Sequence, residues 1–190
     1  MSLDAATLSG GFADPVHGAQ AAFRVILRAM AEPGTVMTLP PTGPPPPLSS
    51  GAGAVALALL DADTPVWLDE DHASAARWLT FHTGAPVVGE RRAARFALLS
   101  APDLDGFALG DDDYPDRSAT LVVAVRFGGS RFVLTGPGID GRRAVGLSLP
   151  IDFVERWEAN RALFPRGMDL LLVDGDAVMG LPRTTALAAA

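Results

Sequence analysis

The chain has no lysine and no cysteine in 190 residues, and all 15 of its basic side chains are arginine. Without a lysine amine there is no Schiff base to a carbonyl or to pyridoxal phosphate, and no phosphate-loop lysine. Without a thiol there is no cysteine nucleophile, no thiolate zinc site, no four-cysteine iron-sulfur ligation and no structural disulfide. GC-rich coding, which favours arginine, alanine, proline and glycine, accounts for the same composition and does not restore the missing chemistry. Long apolar runs are also absent. None reaches the ~18 residues of a membrane span, and residues 1–20 lack the basic start and apolar stretch of a secretory signal. A cytoplasmic protein without membrane attachment is expected.

What is present suffices for one domain over residues 1–190. At 48% hydrophobic, a chain of this size buries about 70% of its unfolded surface. The formal charge is -7, and the pI is near 4.8. That balance argues against nucleic-acid binding, which needs a net basic face to neutralise phosphates. A local arginine cluster can still hold one small anion.

Asp14-Pro15 is a capping acid followed by a first-turn proline, and Val16, Ala19, Phe23, Ile26, Leu27 and Met30 form an apolar stripe behind it. Glu32-Pro33-Gly34 ends that helix. A strand is expected at 35–39. The proline-rich run 40–47 lacks the donors to join a ladder and reads as a stiff surface loop. A polyproline partner site there is the alternative. Residues 52–60 fit a buried helix or a strand, and their alanines favour helix. A turn at 61–65, a strand at 66–69 and a helix over 73–83 closed by Gly84 follow, with Trp78, Leu79 and Phe81 as apolar bulk. Strands are expected at 86–88 and 94–99. The acidic segment 110–116 reads as a loop. Residues 120–135 read as a hairpin turning at Gly128-Gly129. Pro150 opens a helix carrying Phe153, Val154, Trp157 and Leu163. A strand at 168–175 pairs with one at 177–181. The sum is an α/β fold with a mixed sheet covered by helices.

The motifs are modest. Gly136-Pro137-Gly138-Ile139-Asp140-Gly141 spells GxGxxG after a strand, but Gly146 and Pro150 break the helix a dinucleotide site requires. A tight loop is the plainer reading, with a small anion held by its amides beside Arg142 and Arg143 as an alternative. His17, His72 and His82 show no zinc-helix spacing, so no metal site is expected. His72 follows Asp69-Glu70-Asp71, which reads as a solvated, helix-capping acidic turn rather than a hard-metal site. His82, at a helix end, reads on its own as a structural histidine. No GxSxG elbow is present. Arg183 stands beside Thr184 and Thr185, where a guanidinium can grip a phosphate or carboxylate bidentately or pair with an acid elsewhere in the fold.

Six strings occur in an order that resembles the PhnH family, the H subunit of the carbon-phosphorus lyase core complex. They are FRVILRAMAEPG at 23–34, DTPVWL at 63–68, FHTGAPVV at 81–88, LTGPGI at 134–139, FPRGMDLLL at 164–172 and LPRTT at 181–185. The resemblance covers about residues 12–186. The run 40–47 lies outside it, and Gly84 stands where the family pattern has asparagine, so no side-chain role is expected there.

The resemblance implies a three-layer α/β/α sandwich similar to pyridoxal-phosphate-dependent transferases but without the cofactor. No other cofactor is implied. It also implies a homodimer in isolation and assembly with the G, I and J subunits. In that system, with the L subunit, methylphosphonate replaces adenine on ATP to give ribose 1-methylphosphonate 5-triphosphate. The iron-sulfur radical chemistry that later breaks the carbon-phosphorus bond belongs to the J subunit. Two roles follow for this chain: a non-catalytic assembly subunit, or a subunit whose cleft binds the nucleotide or phosphonate through Arg24, His82 and Arg183.

Overall fold

Asp14 and Pro15 do open the first helix, α1 (Pro15–Ala31), in the computed structural model, which describes residues 9–190. The Asp14 carboxylate accepts the amides of Val16 at 3.1 Å and His17 at 3.0 Å. Both are donors that a helix start leaves without intrahelical partners. In α2 (Ser50–Leu59) the Ser49 hydroxyl accepts the Ala52 amide at 3.1 Å. A 3-10 turn at Ala73–Ala75 leads into α3 (Ala76–Thr83), which stops at Gly84 with φ at 76°. That left-handed conformation suits glycine. The last helix is α4 (Phe153–Arg161).

The strands of the described chain are β1 (Met37–Thr38), β2 (Val66–Leu68), β3 (Phe96–Leu99), β4 (Thr120–Ala124), β5 (Phe127–Thr135), β6 (Arg143–Leu147), β7 (Asp169–Asp174), β8 (Ala177–Leu181) and β9 (Ala186–Ala189). Six of them form a mixed sheet in the order β1-β8-β7-β4-β3-β2. Within it β2, β3, β4 and β7 run parallel, while β8 returns antiparallel beside β7. The other three form an antiparallel sheet, β6-β5-β9.

Strand alternation divides the core in two. Leu98, Val122, Leu171 and Val173 face α1, α2 and α3, whose Ile26, Val55, Trp78 and Leu79 are buried with them. Leu99, Leu121, Val123, Leu170 and Leu172 face the opposite way. They pack with Phe153 and Trp157 of α4 and with Phe132, Leu134, Leu147 and Leu187 of the second sheet. The mixed α/β architecture is as expected. The cover on one face differs, because a small β-sheet shares that side with α4.

That second sheet also corrects the expected hairpin at 120–135. Strand β4 pairs in parallel with β3 and β7, whereas β5 pairs with β6 and β9. Gly128 and Gly129 sit at a register shift inside β5, with φ at 101° and 83°. Two adjacent glycines with positive φ serve a β-bulge as well as a turn. The true hairpin joins β5 to β6 through the GxGxxG segment. On α1 the expected stripe is rotated: Ala22, Ile26 and Ala29 are buried, while Val16, Phe23 and Leu27 are exposed. Phe81 is exposed as well. Of the strand expected at 86–88 there remains a single bridge from Val87 to Val66. The run 40–47 has no strand or helix and pairs in no ladder. Among the described residues, no helix is long and apolar enough to cross a membrane.

The glycines of the β5–β6 loop differ in what fixes them. Gly138, φ at 79°, passes so close to the end of α1 that a Cβ would overlap the Ala31 carbonyl oxygen; Gly141, φ at 68°, has open space around it. Gly141→Ala is therefore expected to lower stability by about 1 kcal/mol, the strain of a positive φ alone. Gly138→Ala adds a backbone clash and is expected to cost at least about twice that. Urea unfolding of the two variants checks the difference, and equal midpoints would contradict it.

Candidate functional site

Parallel strands direct their carboxyl ends to one edge of a sheet, and a crevice opens there where successive connections leave toward opposite faces. The β2–β3 pair meets that condition. The chain leaves β2 through α3 on one face, and leaves β3 through a long loop whose Leu104 and Phe107 pack on the other. The residues following the two strands are Asp69 and Ser100. A crevice of about 530 Å³ opens beside them, lined by Trp67, Leu68, Asp69, Glu70, Asp71, Ala73, Arg91 and Ser100. Its volume falls within the range of small-molecule sites.

Asp69 organises this edge. Its Oδ2 accepts the Ser100 amide at 2.6 Å and the Ser100 hydroxyl at 2.7 Å. Its Oδ1 accepts the His72 amide at 3.0 Å and lies 2.6 Å from His72 Nδ1. Burial by itself pushes the Asp69 carboxyl up, but the Ser100 and His72 donors outweigh it and hold the group below the usual carboxylate value. Of the solvated, helix-capping acidic turn expected here, the solvation holds for Glu70 and Asp71, which are exposed, while Asp69 is half-buried and His72 buried. The capping does not: the Asp69 carboxylate binds the His72 amide within the turn, and neither Ala73–Ala75 nor α3 has a side-chain cap.

Arg91 builds the neighbouring wall. Its guanidinium lies 4.6 Å from the centre of the Trp67 ring and 5.2 Å from that of Phe107. Its Nη1 donates to Asp103 at 2.6 Å and to the Asp105 carbonyl at 2.9 Å. Asp103 also accepts from Arg156 Nη2 at 3.0 Å. Arg91 is thus neutralised by its own partners, while Asp69, Glu70 and Asp71 leave the crevice acidic.

The three residues singled out from the sequence stand on separate elements, and no hydrogen bond or ion pair joins any two of them among the described residues. Arg24 lies exposed on α1. His82 is half-buried in the last turn of α3, its ring centroid 4.7 Å from that of Trp78 and 5.0 Å from that of Phe81. Arg183, just beyond β8, is held by the protein itself. Its Nε donates to Asp169 at 3.1 Å, its Nη1 to the carbonyls of Pro115 at 3.0 Å and Pro165 at 3.1 Å, and its Nη2 to Ser118 Oγ at 2.6 Å. For Arg183 the geometry favours pairing with an acid over an open anion grip. At the GxGxxG loop, Arg143 likewise donates to the Pro33 carbonyl at 2.7 Å and to Thr35 Oγ1 at 2.6 Å.

Sequence reading missed Asp69, Ser100 and Arg91. The only signal was the acidic turn beside His72. Ser100 is 31 positions from Asp69, and only the β2–β3 register brings them together.

Two measurements follow from these contacts. Arg183→Ala leaves Asp169 half-buried and unpaired, so stability is expected to fall by about 3 kcal/mol. Arg183→Lys restores only part of it, since an ammonium lacks the planar fork. An unchanged urea midpoint for Arg183→Ala would return the residue to a ligand role. The second concerns acid. A depressed folded-state value makes the Asp69 contribution fully present above its unfolded value near about 3.9 and lost as pH falls through the lower folded value. The wild type should therefore lose more stability than Asp69→Asn between about pH 5 and pH 2. Parallel pH profiles would contradict this.

With the geometry in place, comparison with known proteins gives the family. The family model described as "Bacterial phosphonate metabolism protein (PhnH)" matches residues 10–188. A protein of Rhizobium meliloti (strain 1021) named alpha-D-ribose 1-methylphosphonate 5-triphosphate synthase subunit PhnH is 46% identical over 197 aligned residues, covering 98% of each chain. A protein of Stutzerimonas stutzeri, named putative C-P lyase subunit protein HtxG, is 36% identical over 176 residues, covering 87% of this chain and 84% of its own. The chain belongs to the family of bacterial phosphonate metabolism proteins, PhnH.

Proposed function

We propose that the chain is a non-autonomous subunit of the carbon-phosphorus lyase core complex in organic phosphonate catabolism. It supports formation of alpha-D-ribose 1-methylphosphonate 5-triphosphate from ATP and methylphosphonate. The observation that carries this reading is the match, over 98% of both chains, to a synthase subunit of that name. The acidic walls of the β2–β3 crevice add support, because Asp69, Glu70 and Asp71 would repel a triphosphate there. Proposed partners are the G, I and J subunits, with a homodimer when the chain is alone. A cytoplasmic site of action and no nucleic-acid partner go with that assembly, the latter in keeping with the net charge of -7.

The same reading takes the chain as one domain and its fold as a cofactor-free version of the pyridoxal-phosphate transferase architecture. Parallel strands ending in a crevice support it, as does a chain with no lysine for a Schiff base. A direct ligand role for Arg24, His82 and Arg183 is the second reading. The exposed guanidinium of Arg24 is the feature that favours it.

Omission from a reconstituted synthase tests the proposal. With the other subunits, ATP and methylphosphonate present, leaving out this chain should abolish adenine release, and adding it back should restore the release. The chain alone should release none. Undiminished adenine release without the chain would overturn the proposal.

A further inference from the structure

Helix α1 is apolar on more than the side it buries. Ala22, Ile26 and Ala29 face the sheet. On a different side Val16, Phe23 and Leu27 are 74%, 49% and 58% exposed. With Gln20, also exposed, they follow one another at steps of four, three and four positions. That is the spacing of a coiled-coil seam, and it gathers the four side chains into one stripe about 16 Å long. Single apolar residues scattered over a surface are ordinary, but several aligned along one helix mark a docking face.

The charge beside the stripe says what covers it. Between Pro15 and Ala31 the helix carries two arginines and no acid, in a chain whose net charge is -7. Arg24 and Arg28 stand one turn apart on the same flank of the stripe. Arg28 Nε is paired with Glu32 at 3.0 Å. Arg24 is exposed and makes no hydrogen bond or ion pair among the described residues. Asp14, beyond the other end of the helix, is taken up by the cap and by His17 at 2.7 Å. A second copy of this helix would thus bring the same two arginines and no acid along the stripe. An anionic membrane is disfavoured by the net charge of the whole chain.

What fits is a helix with a matching apolar stripe and carboxylates along one edge. We propose that the outer stripe of α1 docks an acidic amphipathic helix of another subunit. Val16, Phe23 and Leu27 pack between its apolar side chains, and Arg24 pairs with a carboxylate at its edge. Gln20, the polar member of the stripe, favours one register over those shifted by a turn. The inference rests on the subunit reading and adds to it the face that is used and the chemistry of what meets it.

The test is binding of the full-length chain to an immobilised assembly of the G, I and J subunits prepared without it, followed by biolayer interferometry at several salt concentrations. Wild-type binding is expected, weakening as salt rises. Arg24→Glu should weaken it by about tenfold and flatten the salt dependence, while its thermal midpoint stays unchanged because the side chain is exposed and unpaired. Arg24→Lys, which keeps the charge, should bind nearly as well as wild type. Leu27→Glu should weaken binding by at least about tenfold, and Leu27→Met, which keeps the apolar bulk, should not. Wild-type affinity in both glutamate variants would overturn the inference and leave the subunit reading standing. No binding by the wild type would overturn the subunit reading and this inference with it. Sedimentation in which Leu27→Glu splits a wild-type homodimer would give the stripe to a second copy and overturn the inference. So would flotation of the wild type, but not of Leu27→Glu, with phosphatidylglycerol vesicles.

Discussion

Strands β4 and β7 lie side by side in the six-stranded sheet with leucine and valine on both faces, and such strands persist only when both faces are covered. The rest of the molecule answers that constraint. On one side α1, α2 and α3 supply the cover, with Trp78 and Leu79 fully buried. On the other, α4 alone is too short, and the β6-β5-β9 sheet completes the layer with Phe132, Leu134, Leu147 and Leu187. Trp157 fastens the two parts of that layer, since its indole Nε1 donates to the Thr185 carbonyl at 2.8 Å. Asn160 fastens α4 to the start of β7 by exchanging hydrogen bonds with the Met168 backbone at 2.8 and 3.0 Å.

Covering the sheet this way sets up the polar chemistry at its two edges. At the amino ends of the parallel strands, Arg183 and Asp169 tie β7 to the 115–118 turn and to Pro165. At the carboxyl ends, the connections after β2 and β3 part toward opposite faces, and Asp69 holds the gap by accepting from Ser100 on one side and His72 on the other. One carboxylate thus separates two environments. The crevice beyond β2 is acidic and aromatic, whereas the small cavity beside His72 is lined mainly by apolar side chains.

The features legible from sequence are those that local chemistry settles. Asp14-Pro15 starts α1 because the cap needs only its own next three residues, and Gly84 stops α3 for an equally local reason. The β7–β8 pair was legible because Gly175, φ at 62°, makes a tight turn between two apolar runs. The hairpin expected at 120–135 failed where local cues compete: Gly128-Gly129 reads as a turn, but β4 gains more from burial between β3 and β7 than from pairing with β5. Periodicity on α1 identified a helix without telling which of its apolar residues face the sheet. The family was legible because six strings in order are specific. Asp69 and Ser100 were not, since their meeting depends on parallel register between strands whose pairing the sequence does not declare. Arg183 was noticed for its hydroxyl neighbours, while its acid partner Asp169 lies on another strand.

On the proposed reading, this chain works as one member of an assembly. Its most direct test is co-expression with the G, I and J subunits, purification through a tag on one partner, and intact-mass measurement of what is recovered. A stable complex that contains this chain in fixed stoichiometry is expected. Recovery of the partners without it, with this chain running alone as a homodimer that ignores all three, would overturn the subunit reading.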